Sequence, residues 1–93
     1  MNAAAFLIAL NRRARLVCNT RDPLAEARSF LDRHGETGEG QALRRVMDTL
    51  ASGNGEFAES DVWLFSNETL ALVAALVDAR IEGLYSEMEW WVV

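Results

Sequence analysis

The sequence predicts an all-α protein: a compact bundle of four or five short helices with a buried, long C-terminal helix, in a single domain spanning residues 1–93. Three observations predict this class. The chain is 51% hydrophobic and 25% charged, proportions typical of a folded globular domain. It has one proline, so few positions interrupt a helix. Apolar residues recur at helical spacings along most of the chain.

The first predicted helix runs from Asn2 to about Cys18. Five apolar residues fall on one stripe, at alternating spacings of four and three: Ala3, Leu7, Leu10, Ala14 and Val17. Arginine residues lie off this stripe, so the helix is amphipathic and buries one face. We expect that face to pack in the core or against a second chain, which makes Leu7 and Leu10 candidate partner-binding residues.

The second predicted helix begins at Asp22 and Pro23. An aspartate caps the free N–H groups of a first turn, and the φ angle of proline is already helical. The helix is expected to run to about His34 and to bury three apolar residues: Leu24, Ala27 and Leu31. Gly35 is then expected to end it in the left-handed conformation.

The sequence pattern in the middle of the chain predicts a loop, a helix and one ambiguous segment. The loop is GETGEG, and the third helix runs from about Glu39 to Ala51. Four apolar residues mark the buried face of this helix: Leu43, Val46, Met47 and Leu50. The stretch SGNG ends it. The following ESDVWLF fits either a short helix capped by Ser60 or an extended segment, and the helix is favoured.

The longest predicted helix lies between Ser66, its N-cap, and Gly83, its stop. Phe65 and Leu70 are placed to form a hydrophobic staple at its start. Two apolar faces follow, one with Leu70, Val73, Val77, Ile81 and Leu84, the other with Leu72, Leu76 and Ala79. A helix that is apolar on two sides is buried on two sides, so Leu72 and Leu76 are further candidate contacts with a partner.

The chain ends in YSEMEWWVV, a segment rich in apolar residues. Ser86 and Glu89 form a capping box, and Tyr85 and Trp90 are spaced as a second hydrophobic staple, so another helical turn is predicted. Adjacent helical residues point about 100° apart, so both tryptophans cannot easily face one core. We therefore expect one of Trp90 and Trp91 to be buried, against the side of the longest helix that carries Leu72 and Leu76, and the other, Trp91, to meet a partner.

Few residues are suited to catalysis or metal binding. The chain has one histidine and one cysteine, too few for a cluster with metal-ligand spacing. The stretch from Leu50 to Asp61 resembles part of an EF-hand calcium loop, but Leu50 stands where the first aspartate belongs. His34 lies at a predicted helix end, where it suits the helix dipole. We expect no enzymatic activity, no cofactor and no bound metal.

The charge of the chain is unevenly distributed. The net charge is −5, yet residues 1–45 carry eight arginines against five acidic residues, and residues 46–93 carry one arginine against nine. Nucleic-acid binding is therefore not expected of the whole chain, although the arginine-rich half leaves a DNA-contacting regulator as one alternative. The longest uninterrupted apolar run has eight residues, short of the ~20 that span a bilayer. With a single cysteine, these features predict a soluble, cytoplasmic protein.

These observations favour a non-catalytic protein–protein interaction module. The expected partner is a second copy of the chain, in a homodimer that uses the apolar faces and the tryptophan-rich end. The other alternative is a small acidic protein that masks a basic surface of its partner, an expectation based on size and charge and not on a motif.

Overall fold

Six α-helices make up the fold within residues 1–14, 21–53 and 56–91, the parts of the chain that the computed structural model describes. They are α1 (Ala3–Ala14), α2 (Pro23–His34), α3 (Gly38–Ser52), α4 (Glu59–Val62), α5 (Asn67–Glu82) and α6 (Glu87–Trp91). No strand occurs in these residues. The predicted all-α class and the bundle of short helices are confirmed, whereas the predicted extension of the first helix to Cys18 lies outside the described residues.

Side-chain caps fix where the helices begin. Asp22 accepts a hydrogen bond from the N–H of Ala25 at 3.2 Å, and Ser66 accepts one from Thr69 at 3.3 Å, so both predicted N-caps are confirmed. Thr37 was not predicted as a cap. Its hydroxyl accepts from the N–H of Gly40 at 3.0 Å and starts α3 inside the segment that the sequence predicts as a loop.

Glycine ends two of the helices in the left-handed conformation, but not α2. Gly53 and Gly83 have φ of 72°, as expected of a left-handed helix end. Gly35 has φ of −61°, so the prediction for it is wrong. It allows a close approach instead: a Cβ at this position would lie 2.5 Å from the carbonyl oxygen of Leu31. Gly35 thus continues the right-handed backbone of α2 into the turn.

The core is built around α5, which packs against α1, α2 and α3. Nine of its sixteen residues are buried, and they occupy both apolar faces over most of the helix: Thr69, Leu70, Leu72, Val73, Ala74, Ala75, Leu76, Val77 and Ala79. The predicted first face does not continue to its end, because Ile81 is 55% exposed and Leu84 is 63% exposed. This long helix is also not the last element, since α6 follows it.

The ambiguous segment ESDVWLF contains the single-turn helix α4. Ala58 occupies the cap position without a side-chain hydrogen bond, so Ser60 is not the cap. Two contacts fix α4 in the fold. Arg45 of α3 pairs with the buried Asp61 at 2.8 Å, and the ring of Phe57 stacks on Phe6 of α1 with 4.5 Å between centroids. The first contact joins α4 to α3 and the second joins the segment before α4 to α1, and α4 itself also contacts α1. Among the described helices, none has both the length and the apolar character needed to cross a membrane.

Candidate functional site

The structure places most of the predicted partner-binding residues in the chain's own core. Leu10 and Leu76 are fully buried, Trp90 is 1% exposed and Leu72 is 8% exposed. Leu7 is half-buried and packs against the same core. These residues offer little or no surface to a partner, because α5 packs against α1, α2 and α3, and α6 packs against α3. Trp91, at 61% exposed, is the one predicted contact residue that is open to solvent.

The capping box and the staple before α6 are confirmed. The N–H of Glu89 donates to Oγ of Ser86 at 3.3 Å, and the N–H of Ser86 donates back to Oε2 of Glu89 at 3.1 Å. The rings of Tyr85 and Trp90 meet edge to face, with 5.4 Å between their centroids. Since this geometry turns Trp90 inward, Trp91 points away from the core.

The last helix docks on a different surface from the predicted one. The sequence suggested the side of α5 that carries Leu72 and Leu76, but α6 packs mainly against α3. Polar contacts with α2 add to this packing. Arg28 donates to the backbone carbonyl of Glu89 at 2.5 Å. The Tyr85 hydroxyl donates to Asp22 at 2.6 Å, which lowers the pKa of that carboxyl group.

The exposed large apolar side chains fall into two stretches of the fold. One stretch belongs to α1 and to α4 with the turn after it: Ile8, Trp63 and Leu64. The other belongs to the end of α5 and to α6: Ile81, Leu84, Met88 and Trp91. Single exposed apolar residues are ordinary, whereas large ones grouped beside a concave surface mark interaction sites. The first stretch has a concave surface beside it.

That surface is a groove of about 540 Å³ between α1 and α4, here named the Trp63 groove. It is lined by Met1, Ala5, Ile8, Ala9, Arg12, Arg13, Glu59, Val62 and Trp63. Its floor is largely apolar, with the charged side chains of Arg12, Arg13 and Glu59 among the lining residues. The small side chains of Ala5 and Ala9 are among the lining residues that α1 contributes.

Arg13 holds the exposed indole of Trp63 in place. Its Nη1 donates hydrogen bonds to the carbonyl oxygens of Val62 at 2.6 Å and Phe65 at 3.0 Å. The carbonyl of Val62 lies at the end of α4, and that of Phe65 lies in the segment between α4 and α5. The guanidinium carbon also lies 5.2 Å from the centroid of the Trp63 ring, a cation–π distance. Trp63 is 67% exposed, yet its contact with Arg13 gives the ring a defined orientation.

The groove holds no set of groups suited to catalysis. Its ionisable side chains are one carboxylate and two guanidinium groups, without a histidine, cysteine or serine to act as nucleophile or base. In the described residues, no group of three or more His, Cys, Asp or Glu side chains is placed to hold a metal ion. Within the calcium-like stretch, Leu50 is buried in α3 and Asp61 is paired with Arg45, while residues 54 and 55 lie outside the described residues.

Several arginines of the basic half already have partners within the chain. Arg13 binds two backbone carbonyls, Arg28 binds the carbonyl of Glu89, and Arg45 pairs with Asp61. A guanidinium group held in this way has fewer free donors for a phosphate. The arginines thus connect distant parts of the fold, a role that sequence spacing does not reveal.

Trp63 is the residue that sequence reasoning missed. A signal for it exists: Trp63 and Leu64 directly follow a helix of a single turn, Glu59–Val62. A segment so short cannot bury consecutive large side chains on one face, so one or both must be exposed. Comparison of the chain with protein-family models, curated proteins and solved structures found no match.

Proposed function

We propose that the protein is a non-catalytic interaction module that acts as a homodimer, with the Trp63 groove as its contact surface. The observation that carries the proposal is an exposed indole held by Arg13 beside an apolar groove. The single cysteine supports a reducing, cytoplasmic compartment.

The fixed orientation of Trp63 favours binding. Tryptophan is enriched among the few residues that supply most of the energy of protein interfaces. A side chain that is already held in one orientation loses less conformational entropy on binding than a free one. The hydrogen bonds and the cation–π contact of Arg13 supply that order before any partner arrives. An exposed aromatic ring kept in place in this way supports a binding role.

The acidic end of the chain favours a second candidate, a protein that masks a basic surface. Residues 78–91 contain four acidic residues and one arginine, and the exposed Ile81, Leu84, Met88 and Trp91 lie in the same segment. A partner with a basic surface and exposed apolar side chains would be complementary to this segment. This surface ranks below the Trp63 groove because Trp91 has no clamp like that of Arg13 among the described contacts.

The oligomeric state tests the proposed function. Light scattering coupled to size exclusion should give twice the 10.4 kDa mass of one chain at high concentration. Trp63→Ala should give a folded monomer, with helical circular dichroism unchanged. Trp91→Ala is the matched control and should remain a dimer. A wild-type chain that stays monomeric at every concentration, or a dimer that persists in Trp63→Ala and dissociates in Trp91→Ala, would contradict the assignment of this surface.

A further inference from the structure

The Trp63 groove carries opposite charges at its two ends. At one end the N–H of Phe57 donates to the carbonyl oxygen of Met1 at 2.7 Å. At the other end Arg13 donates to the carbonyl of Val62 at 2.6 Å. The start of α1 is thus beside the segment before α4, and the end of α1 is beside the end of α4. Glu59 therefore lies towards the Met1 end and Arg12 towards the Trp63 end.

Both charged groups at these ends are available to a partner. Arg12 and Glu59 are exposed, and neither forms a hydrogen bond or ion pair with another residue in the described parts of the chain. Arg13 differs, since its Nη1 already donates to the carbonyl oxygens of Val62 and Phe65. Among the described residues, Arg12 is thus an unpaired cation towards one end of the groove and Glu59 an unpaired anion towards the other, where the Met1 ammonium is paired with Glu56 at 3.4 Å. Ala5, near the Met1 end of the groove, and Arg12 are seven residues apart in α1, which corresponds to about 10 Å along the helix axis.

We propose that two copies pair groove to groove about a two-fold axis, with Arg12 of each copy opposite Glu59 of the other. This inference rests on the proposed function and specifies its geometry. A two-fold axis perpendicular to the groove reverses the direction of the second copy, so the positive end of each groove meets the negative end of its partner. A parallel arrangement would place like charges together, which disfavours it.

The apolar part of the groove suits the same arrangement. Ala5 and Ala9 lie one turn apart on the same side of α1, and their small side chains leave room for the partner's Trp63. A volume of about 540 Å³ is within the range of pockets that hold a whole small molecule, roughly 300–1,000 Å³. A stable interface covers about 800 Å² per partner, roughly one-seventh of the 5582 Å² surface of this chain. An interface of that size would extend well beyond the residues that line the groove.

Charge reversal tests the pairing. In a two-fold dimer, Arg12→Glu places two carboxylates opposite each other at both ends of the interface, and Glu59→Arg places two guanidinium groups there. Each variant should weaken self-association by roughly tenfold, measured as the dimer dissociation constant by analytical ultracentrifugation. An equimolar mixture of the two variants should associate as strongly as the wild type, because each end of that mixed dimer again has opposite charges.

The controls separate this pairing from other causes. The double variant Arg12→Glu with Glu59→Arg should also associate as strongly as the wild type. Arg44→Glu reverses a charge on an exposed part of α3 outside the groove and should leave the dissociation constant unchanged. Recovery in the double variant without recovery in the mixture would place the Arg12–Glu59 interaction within one chain and overturn the inference. If dimerisation is lost in Trp63→Ala but the dissociation constant is unchanged in both charge-reversal variants, the antiparallel geometry is overturned and the proposed function stands. A wild-type monomer would overturn both.

Discussion

The hydroxyl group of Tyr85 donates a hydrogen bond to Oδ1 of Asp22 at 2.6 Å, across 63 positions of sequence. The same carboxylate oxygen accepts from the N–H of Ala25 at 3.2 Å. In return, the N–H of Leu24 donates to the Tyr85 hydroxyl at 3.4 Å. One aspartate therefore both caps α2 and holds the segment that leads into α6. Because α6 carries Trp90 into the core, this contact helps to close the bundle.

The pKa of Asp22 should depend on Tyr85. It is lowered chiefly by the hydrogen bond from Tyr85 and then by the one from Ala25. Tyr85→Phe should therefore raise it part of the way to its ordinary value of 3.8. A carboxyl group with a lowered pKa stabilises the fold above about pH 4, and that contribution is lost as pH falls through the lowered value. Titration followed by NMR measures the pKa, and an unchanged value in the variant would contradict this assignment.

The hydrogen bond between Tyr85 and Asp22 should also affect the titration of Tyr85 at alkaline pH. The pKa of Tyr85 is raised chiefly by burial and further by its hydrogen bond to Asp22. A raised pKa means that the stabilisation is complete below about pH 10 and is lost as pH rises through the higher value. Asp22→Asn should lower this pKa in part, leaving the effect of burial. Ultraviolet absorbance of the phenolate reports it directly, because Tyr85 is the single tyrosine of the chain. No difference between wild type and variant would argue against the hydrogen bond.

The two adjacent tryptophans should differ in their effect on stability. Trp90→Ala removes a buried ring and should lower the free energy of unfolding by about 3–5 kcal/mol. Trp91→Ala removes an exposed ring and should change it by less than about 0.5 kcal/mol. Trp90→Phe should cost less than Trp90→Ala, since it keeps an aromatic ring and removes an indole N–H that is buried without a partner among the described residues. Urea unfolding gives all three values, and equal costs for the two alanine variants would refute this division.

Arg13 should be required for the order of Trp63. Arg13→Ala removes hydrogen bonds to two carbonyl groups and should lower the free energy of unfolding by about 1–3 kcal/mol. The near-ultraviolet circular dichroism of the indole should weaken as the ring gains freedom. Arg12→Ala is the neighbouring control, and its effect on monomer stability should stay within about 0.5 kcal/mol. Trp63→Phe provides the reference spectrum, and an unchanged Trp63 signal in Arg13→Ala would show that Arg13 does not orient the ring.

Two glycines near the start of α3 should respond oppositely to substitution. A Cβ on Gly40 would overlap the carbonyl group of His34, so Gly40→Ala should lower the free energy of unfolding by about 3 kcal/mol. Nothing lies within 4 Å of a Cβ on Gly38, so Gly38→Ala should stabilise the helix by about 0.5–1 kcal/mol. Thermal unfolding distinguishes them. Similar melting temperatures for the two variants would contradict the close approach of α2 and α3.

Features set by neighbouring residues could be predicted from the sequence. Asp22, Ser66 and Ser86 each cap a turn within three residues, so their patterns are complete in a short stretch. The conformation of Gly35 could not be predicted in this way. Several backbone conformations end a helix, and the choice here depends on how closely the end of α2 approaches the start of α3.

The candidate site depended more strongly on tertiary structure. Helical periodicity identifies an apolar residue but does not tell which neighbour covers it. Leu10 and Leu76 were predicted as partner contacts and are buried within the chain, because α5 lies among other helices. Trp63 is exposed because α4 is a single turn beside α1. The groove itself is formed by two segments about fifty residues apart, so no local pattern could reveal it.

The bonds that join distant parts of the chain also determine when it can fold during synthesis. Met1 binds Phe57 across 56 positions, and Asp22 binds Tyr85 across 63. At a synthesis rate of roughly 5–20 residues per second, several seconds pass between the synthesis of α1 and the synthesis of the segment that covers its apolar face. During that interval Phe6 and Leu10, which are fully buried in the finished fold, are open to the surroundings. A ribosome stalled before residue 57 would therefore display an aggregation-prone helix.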